Sequence, residues 1–349
     1  MNPEIEKLPE FDNHELVSYF SDKKTGLRGF VAIHNTNLGP AAGGTRYWPY
    51  PSEEEALRDV LNLSKAMTYK CAIARVPYGG AKTVIIADPK KLKTRNFLAA
   101  YAKVVNLFKG NLITGEDVGM EQKDIDVLVR HSRFIVGRKN KAGDLGPWAA
   151  LGVFSAMQAA LSLVFGENHI ERRTFAIKGL GKVGSELAQL IYDRGGHLIG
   201  ADIDGEKVAL ARKKFPGIKI VKPEEIHKQK VDIFAPCALG CEINSLTIKE
   251  INCPIVCGAA NNQLCEPEDG LLIHRRGILY IPDYLANAGG LINVVGELRR
   301  GGYDRKWVEA KCLGIRKTTL DLLKLSKKRN LPTSLIADQI AEKMFRGKT

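Results

Sequence analysis

The sequence predicts an α/β protein with two domains. At 349 residues, 44% of them hydrophobic, the chain can bury a sizeable core in each of two domains. After residue 174, short apolar segments typical of strands alternate with helical segments, which is the pattern of a mainly parallel sheet covered by helices. The polar, glycine-rich segment 137–147 precedes this alternation. We therefore expect two domains that divide near residue 140.

Composition excludes several classes of protein. Met1 to Glu6 lack the basic and then apolar layout of a signal peptide, and we find no apolar run long enough to predict a segment that crosses a bilayer. Seven cysteines in a chain of this size argue against a disulfide framework and for a reducing compartment. The pairs Cys237/Cys241 and Cys253/Cys257 lack zinc-site spacing, so we interpret them as small buried side chains. We expect a cytoplasmic protein without metal or membrane.

The net charge of +13 is concentrated near the C-terminus. Residues 299–349 carry fourteen Lys or Arg and five Asp or Glu, a difference of +9. Apolar residues recur among them at helical spacing, which predicts an amphipathic helix with a solvated basic face. No nucleic-acid-binding motif accompanies this charge, so we expect no nucleic-acid partner.

The first domain is predicted to contain both strands and helices. Ser52 and Glu55 form a capping-box pattern at the start of a helix whose end lies near Lys70. The predicted elements are a strand at 27–34, a glycine-rich loop at 39–44, this helix, a strand at 84–86 and a helix at 95–109.

The second domain is predicted to begin with a helix and continue as alternating strands and helices. The predicted strands are at 175–178, 198–202, 231–235, 254–257 and 278–281. One predicted helix covers 149–165, and a second follows the glycine motif and ends at Tyr192. The others run from Gly289 to about Leu298, over 305–329 and over 333–346. We expect the last helices, about 318–349, to return to the first domain.

A dinucleotide-binding motif follows the strand at 175–178. Gly179, Gly181 and Gly184 form Gly-x-Gly-x-x-Gly, with Lys182 and Val183 opening the next helix. Such glycines permit a tight turn, a close approach of backbone to pyrophosphate and close packing of the helix. Asp202 ends the next strand, where it would accept hydrogen bonds from a ribose and repel a 2′-phosphate. The motif predicts a Rossmann-type domain over 141–317 that binds NAD.

Polar residues follow the later strands of this domain. In an open parallel sheet, ligands bind beyond the carboxyl ends of the strands. An asparagine there can bind a cofactor ribose, a carboxamide or a substrate carboxylate, or it can simply stabilise its loop. The candidates are Cys237, Ala238, Asn261, Asn262 and Asn287.

Two lysines in the first domain are candidates for catalysis. Lys70 and Lys82 both lie among apolar or small residues, where an unpaired ammonium group is costly. A Gly-Gly turn before Lys82 would place it at the edge of a core, where desolvation favours a neutral, basic amine. Asp117 is the candidate partner or proton relay, and Glu116 is its rival.

These segments together resemble the glutamate/leucine/phenylalanine/valine dehydrogenases, and within them the leucine dehydrogenases. The resemblance covers about residues 13 to 345. The longest matching segment is 76–89, which contains Gly79-Gly80-Ala81-Lys82. The other matching segments are Leu38 to Arg46, Met67 to Lys70, Glu116 to Gly119, Ala260 to Leu264 and Asn287 to Gly290.

The resemblance implies NAD-dependent oxidative deamination of an L-amino acid to a 2-oxo acid and ammonia by a homo-oligomer. It assigns the substrate carboxylate to Lys70, the general base to Lys82 and proton exchange with the amine to Asp117. It implies a domain over 1–140 that binds the substrate. The other substrate-binding residues that it implies are Gly43, Gly44, Met67 and Asn262.

The pocket for the substrate side chain departs from the leucine dehydrogenase pattern. Ala42 replaces a leucine and Gly115 replaces an alanine, which predicts a wider pocket. Leu291 replaces a smaller valine, and Val294 matches the remaining wall. Ala149 stands where the family usually has a threonine that faces the cofactor.

We expect an enzyme acting on leucine, valine or isoleucine. The alternatives are a phenylalanine or other aromatic amino acid dehydrogenase and a catalytically weakened NAD-binding sensor.

Overall fold

A computed structural model describes residues 4–347 of the chain. The protein divides into two compact units. The first comprises residues 1–143, 294–303 and 341–349, and the second comprises 144–293 and 304–340.

The first unit is built on a five-stranded mixed sheet. The strand order is β1-β2-β4-β3-β5, with β2 antiparallel to β1 and β4, and β3 parallel to both β4 and β5. Every residue of β4 is buried, as expected of a central strand covered on both faces. The strands are β1 (Leu16–Asp22), β2 (Leu27–Asn35), β3 (Ala41–Trp48), β4 (Gly79–Ile86) and β5 (Leu112–Glu116).

Helices cover both faces of this sheet. Helix α1 (Glu53–Ile73) begins at Ser52, whose hydroxyl accepts from the Glu55 N–H, and it packs an apolar stripe against β2 and β4. Helix α2 (Arg95–Leu107) lies over the opposite face, followed by α3 (Gln122–Leu128). A short 3₁₀ segment, Ile5–Lys7, precedes β1. The apolar faces predicted for these helices therefore form two cores, one on each side of the sheet.

Two predicted features of this unit are wrong in detail. Residues 41–44, predicted as loop, begin strand β3, and the Gly79-Gly80 pair, predicted as a turn, begins strand β4. Here the glycines serve close packing, because a Cβ on Gly80 would lie 2.1 Å from the Thr68 nitrogen of α1. One on Gly43 would lie 1.8 Å from the Ala81 oxygen. Glycine indicated flexibility from sequence, but in the fold it permits contact between backbones.

The second unit is built on a fully parallel six-stranded sheet, in the order β11-β10-β9-β6-β7-β8. The order reverses beside β6, where ligands bind in doubly wound folds. The predicted parallel sheet is confirmed. Its strands are β6 (Thr174–Lys178), β7 (His197–Ala201), β8 (Lys219–Ile220), β9 (Ile233–Pro236), β10 (Ile255–Val256) and β11 (Leu279–Tyr280).

Helices accompany these strands along the chain. Several were not predicted from sequence, because they are short or strongly charged. The unpredicted helices are α6 (Gly205–Lys214), α7 (Thr247–Glu250), α8 (Pro267–Arg275) and α9 (Asp283–Ala286). The predicted helices are present as α4 (Gly146–Phe165), α5 (Lys182–Tyr192), α10 (Gly289–Val295), α11 (Arg305–Arg329) and α12 (Thr333–Phe345), and 3₁₀ segments lie at Ile226–Lys228 and Gly296–Leu298.

Helix α4 is long and apolar enough to span a bilayer, although no such segment was predicted from the sequence. The helix has 20 residues, and its most apolar stretch has a mean hydropathy of 1.7, but 61% of that stretch is buried inside the protein. It packs against α5 and α11, so it serves as a core helix of the second unit.

The units differ from the predicted domains mainly in α11. This helix packs along α4 within the second unit through the buried residues Val308, Cys312, Ile315, Leu322 and Leu323. The predicted amphipathic pattern is therefore present, with its basic residues on the opposite face. Among the described residues that follow 143, those at 294–303 and 341–347 return to the first unit.

Candidate active site

The first unit places Lys82, Gly44 and Asp117 together. Lys82 lies on β4 and is 5% exposed, and its Nζ atom lies 3.1 Å from Oδ2 of Asp117. Asp117 immediately follows β5, while Gly44 lies on β3 between the two strands. A Cβ on Gly44 would lie 3.0 Å from the Asp117 Cβ and 3.4 Å from Lys82 Nζ. The missing side chain at Gly44 therefore leaves space directly beside the ammonium–carboxylate pair.

An arginine that sequence reasoning left without a role completes this group. The Nε atom of Arg46 lies 3.1 Å from Asp117 Oδ2, and its Nη1 lies 2.9 Å from Asp59 Oδ2. The Tyr50 hydroxyl donates to the same Asp59 carboxylate. Two carboxylates and two cations thus compensate one another, which offsets the cost of their burial. The sequence could have indicated Arg46 as a site residue. Side chains two positions apart on a strand share one face of the sheet, so Arg46 lies on the same face as Gly44.

These contacts set the protonation of Asp117. Burial alone raises the pKa of its carboxyl, but the charges of Lys82 and Arg46 outweigh burial and hold this pKa below the ordinary value. Asp117 is therefore an ionised carboxylate at neutral pH. Glu116, its rival from sequence, is exposed in strand β5 and lies outside the Lys82 ion pair.

Lys70 and Met67 lie near the end of α1. Both are half-buried. Helix α1 passes over β4 at Thr68, whose nitrogen would lie 2.1 Å from a Cβ on Gly80, two residues before Lys82. The absent side chain of Gly80 thus brings the last turns of α1 down to the strand that carries Lys82.

Apolar residues form a small buried cluster in the same unit. Ala42, Ile113 and Val136 form a buried group, against which Val294 packs. A Cβ on Gly115 would lie 3.2 Å from Cγ2 of Val136. Val136 therefore already occupies part of the room that the glycine at 115 was expected to create. Sequence reasoning missed Val136, since its contact with β5 arises from a bridge between Thr114 and Ile135.

The second unit forms a turn shaped for a dinucleotide. Gly179 has φ +97°, and a Cβ on Gly184 would lie 1.9 Å from the Gly179 oxygen. At Gly181, by contrast, an added Cβ would meet nothing within 4 Å. Helix α5 begins at Lys182 without a capping side chain, so Lys182 and Val183 head a helix whose N-terminus is open to an anion. The turn is tight at its base and open where a pyrophosphate would lie.

Asp202 is positioned at this turn by backbone groups. Its Oδ2 accepts from the Leu180 N–H at 2.7 Å and its Oδ1 from the Asp204 N–H at 2.9 Å. The side chain is 7% exposed. The Cys237 and Ala238 backbone lies behind the turn, 2.8 Å from where a Cβ on Gly179 would be. Burial raises the pKa of the Cys237 thiol to about 12, so it remains neutral.

Two of the asparagines after the later strands are hydrogen-bonded to each other. Asn287 Nδ2 donates to Asn261 Oδ1 at 2.8 Å and to the Ala259 oxygen at 3.1 Å. Among the residues that the structure describes, the buried Oδ1 of Asn287 has no partner. Asn262 is exposed, with φ +53°. An unsatisfied buried acceptor at this edge suits a donor on a bound ligand.

The remaining predicted residues occupy the start of α4 and helix α10. Ala149 is 9% exposed and lies near Gly290, whose Cβ would be 3.9 Å away. Leu291 is half-buried on α10. Of the cysteines interpreted as buried, Cys253 and Cys257 are buried, but Cys237 is half-buried and Cys241 is exposed. Cys241 lies in a loop with φ +59°, which the apolar flanks did not indicate.

Comparison with known proteins gives the same assignment for both parts of the chain. Residues 14–133 match the Glu/Leu/Phe/Val dehydrogenase dimerisation domain, and residues 201–313 match the glutamate/leucine/phenylalanine/valine dehydrogenase domain.

The similar proteins cover nearly the whole chain. Leucine dehydrogenase of Geobacillus stearothermophilus is 42% identical over 97% of this chain and 92% of its own length. Phenylalanine dehydrogenase of Thermoactinomyces intermedius is 41% identical over 94% and 90%. The crystal structure of L-tryptophan dehydrogenase from Nostoc punctiforme has a TM-score of 0.84, with 38% identity and coverage of 96% of each chain. The resemblance and the two-domain α/β fold expected from the sequence are confirmed, and the chain is an amino acid dehydrogenase that belongs to the NAD(P)-dependent glutamate/leucine/phenylalanine/valine dehydrogenase family.

Proposed function

We propose that this enzyme catalyses the NAD-dependent oxidative deamination of an apolar L-amino acid of the leucine, valine or isoleucine type. The observation that carries this proposal is the buried Lys82–Asp117 pair beside Gly44. Bound NAD would supply a hydride acceptor for the substrate Cα–H bond. The chain's own residues must hold the amino acid, move protons on and off nitrogen and oxygen, and exclude bulk water.

Asp117 is suited to exchange protons with the substrate amine. As a carboxylate at neutral pH it can accept a proton from the substrate ammonium group, which leaves nitrogen its lone pair. Arg46 is paired with both Asp117 and Asp59. This pairing should keep the Asp117 carboxylate in position when it gains or loses a proton during the reaction. We assign Lys82, hydrogen-bonded to the same Oδ2 atom, the role of general base: after its ammonium group gives a proton to solvent, the neutral amine can take a proton from the water that attacks the imine carbon.

Substrate recognition is assigned to the neighbouring residues. We assign the α-carboxylate to Lys70, with Gly43, Gly44, Met67 and Asn262 around the amino acid. The absence of side chains at positions 43 and 44 permits a close approach to the backbone of β3. Ala42, Gly115, Leu291 and Val294 are assigned to the substrate side chain.

The cofactor preference is inferred from Asp202. A buried carboxylate held by two backbone N–H groups would accept the ribose hydroxyls of NAD and repel the 2′-phosphate of NADP. The glycine turn, Lys182, Val183, Cys237, Ala238, Asn261 and Asn287 are assigned to the rest of the cofactor. The family's dimerisation domain supports a homo-oligomer.

An aromatic amino acid is the second candidate substrate. The small side chains at Ala42 and Gly115 favour it, as do the similar phenylalanine and tryptophan dehydrogenases. Val136 works against it, because its Cγ2 atom covers Gly115.

Initial rates of NADH formation with a panel of L-amino acids test the proposal. We expect the highest kcat/KM with leucine, valine or isoleucine, a lower value with phenylalanine and tryptophan, and little activity with glutamate or with NADP. Preference for an aromatic substrate would replace the first candidate by the second. Normal NAD binding without turnover of any amino acid would contradict the proposal and favour a sensor, with Ala149 as the first residue to restore to threonine.

A further inference from the structure

The first unit contains a second cavity, formed by residues outside the proposed active site. Its volume is about 650 Å³, within the range of small-molecule sites. It lies between the end of α2 and the segment that follows α3. Its lining residues are Asn106, Lys109, Val129, Arg130, His131, Ser132, Arg133, Phe134 and Arg138.

The lining of this cavity is strongly basic. It contains Lys109, Arg130, Arg133 and Arg138 together with His131, and no acidic residue. The sequence shows the same bias, because residues 127–143 carry five Lys or Arg and no Asp or Glu. Lys109, Arg130 and Arg133 are exposed, so solvent screens their mutual repulsion in the absence of a ligand.

The cations of the cavity are not neutralised by ion pairs. Across residues 4–347, no carboxylate lies within 4.0 Å of the charged groups of Lys109, Arg130, Arg133 or Arg138. Arg133 instead lies over the Phe134 ring, 5.1 Å from its centroid. An arginine stacked in this way keeps its N–H groups free to bind an anion.

Two nearby carboxylates compensate this charge only in part. Glu297 accepts from the backbone N–H groups of Arg138 and Ala142 at 2.9 and 3.0 Å, so it fixes the segment beside Arg138. Asp126 lines a neighbouring cavity with Arg138 and Lys139. Neither carboxylate lines the basic cavity itself, whose excess of positive charge is therefore left for a ligand.

The backbone around the cavity is held in place. Asn106 Nδ2 donates to the His131 oxygen at 2.9 Å, and the Thr114 N–H donates to the Phe134 oxygen at 3.1 Å. These bonds tie the segment to α2 and β5. The cations are thus presented from anchored backbone on two sides of one concave surface, which suits a compact ligand better than an extended polymer.

We propose that this basic cavity binds a small anion with two or more phosphate groups. Guanidinium groups bind phosphate oxygens through paired, charge-assisted hydrogen bonds, and several around one concavity favour a ligand with several negative charges. The proposal does not depend on the assigned substrate or cofactor, and inorganic pyrophosphate is the simplest probe of it.

Calorimetric titration of the full-length protein with pyrophosphate tests this site. The test variant is Arg130→Gln/Arg133→Gln, and the matched control is Lys327→Gln/Lys328→Gln, which removes the same charge from exposed positions on α11. With the dinucleotide turn saturated by NAD, we expect saturable binding of one pyrophosphate per chain, weakened at least about tenfold in the test variant and unchanged in the control. Thermal unfolding verifies that both variants are folded.

Three results would overturn the proposal. The first is an absence of saturable binding to the unmodified protein. The second is an equal loss of affinity in the test and control variants, which would mean that only net charge matters. The third is binding of a short RNA or DNA that is lost in the test variant while pyrophosphate does not bind, which would assign the surface to a nucleic acid.

Discussion

The two units of this enzyme build their parts of the proposed machinery from different groups. In the first unit, Lys82, Asp117, Arg46 and Asp59 are charged side chains that compensate one another on a mixed sheet. In the second, the dinucleotide turn consists of glycine backbone and a helix N-terminus. Removing one charged side chain from the first unit should leave its partner unpaired. Adding one methyl group to the glycine turn of the second unit should displace either a ligand or the backbone.

Lys82→Ala should produce the largest effect. We expect kcat to fall at least about 10³-fold, because the proposed general base is lost and Asp117 loses a partner. NAD affinity should stay near normal, since the dinucleotide turn belongs to the other unit. NADH formation measures the first quantity, and quenching of protein fluorescence by NAD measures the second.

The matched control is Lys93→Ala. Lys93 is a half-buried lysine of the first unit, and its Nζ lies 2.6 Å from Asp124 Oδ2. Its removal should lower stability but leave kcat of the folded enzyme nearly unchanged. Substantial activity in Lys82→Ala would refute the assigned base.

Mild acid should destabilise the first unit through His34. Burial, with a smaller contribution from the charge of His14, lowers the pKa of His34 to about 4. Below pH ~6.5 the unfolded chain binds a proton that the folded unit resists, so stability present at neutral pH is lost as pH falls toward 4. We expect a loss of about 2 kcal/mol in the free energy of unfolding between pH 7.5 and 5.

Urea unfolding at the two pH values measures this loss. His34→Gln should reduce the difference, whereas His197→Gln, at an exposed position of the second unit, should preserve it. An unchanged pH dependence in His34→Gln would show that other groups, such as His14, control acid sensitivity.

Gly181→Ala should separate ligand binding from folding in the second unit. An added Cβ at this position meets no protein atom within 4 Å, so stability should be unchanged. NAD affinity should fall about tenfold, because the methyl group occupies the space for the pyrophosphate. Fluorescence titration and thermal unfolding measure the two effects.

Gly184→Ala and Gly166→Ala are the matched controls. The first would place a Cβ 1.9 Å from the Gly179 oxygen and should reduce both stability and NAD affinity. The second introduces strain at φ +77° in open space, and should reduce stability alone. Normal NAD affinity in Gly181→Ala would contradict the proposed position of the pyrophosphate.

Val136→Ala should have the smallest effect, a change of substrate preference. Removing the methyl groups that cover Gly115 enlarges the pocket, so kcat/KM for phenylalanine relative to leucine should rise by up to about tenfold. Ala42→Leu should shift the ratio in the opposite direction.

Val105→Ala, the same truncation in α2 on the other side of the sheet, is the control. It should reduce stability and leave the substrate ratio unchanged. An identical shift in this control would mean that general loosening, and not pocket volume, sets the preference.

Sequence patterns predicted most of the long elements because their signals are local. Ser52 and the apolar stripe of α1 predicted a helix that the structure confirms, and Gly-x-Gly-x-x-Gly predicted a strand, turn and helix in that order. The first residues of β3 and β4 were missed, because glycine propensity indicates loops while a central strand needs glycine for close contacts.

Sequence by itself determined the parallel sheet, the family and the candidate residues Lys82 and Asp117, because periodicity and motif spacing are properties of the chain. Only the tertiary structure revealed the Arg46–Asp59 partners, the contact between Val136 and Gly115 and the position of Lys109 beside the basic segment around Arg130. Each of these depends on residues far apart in sequence that meet through strand register and helix packing, and no local pattern records which of them become neighbours.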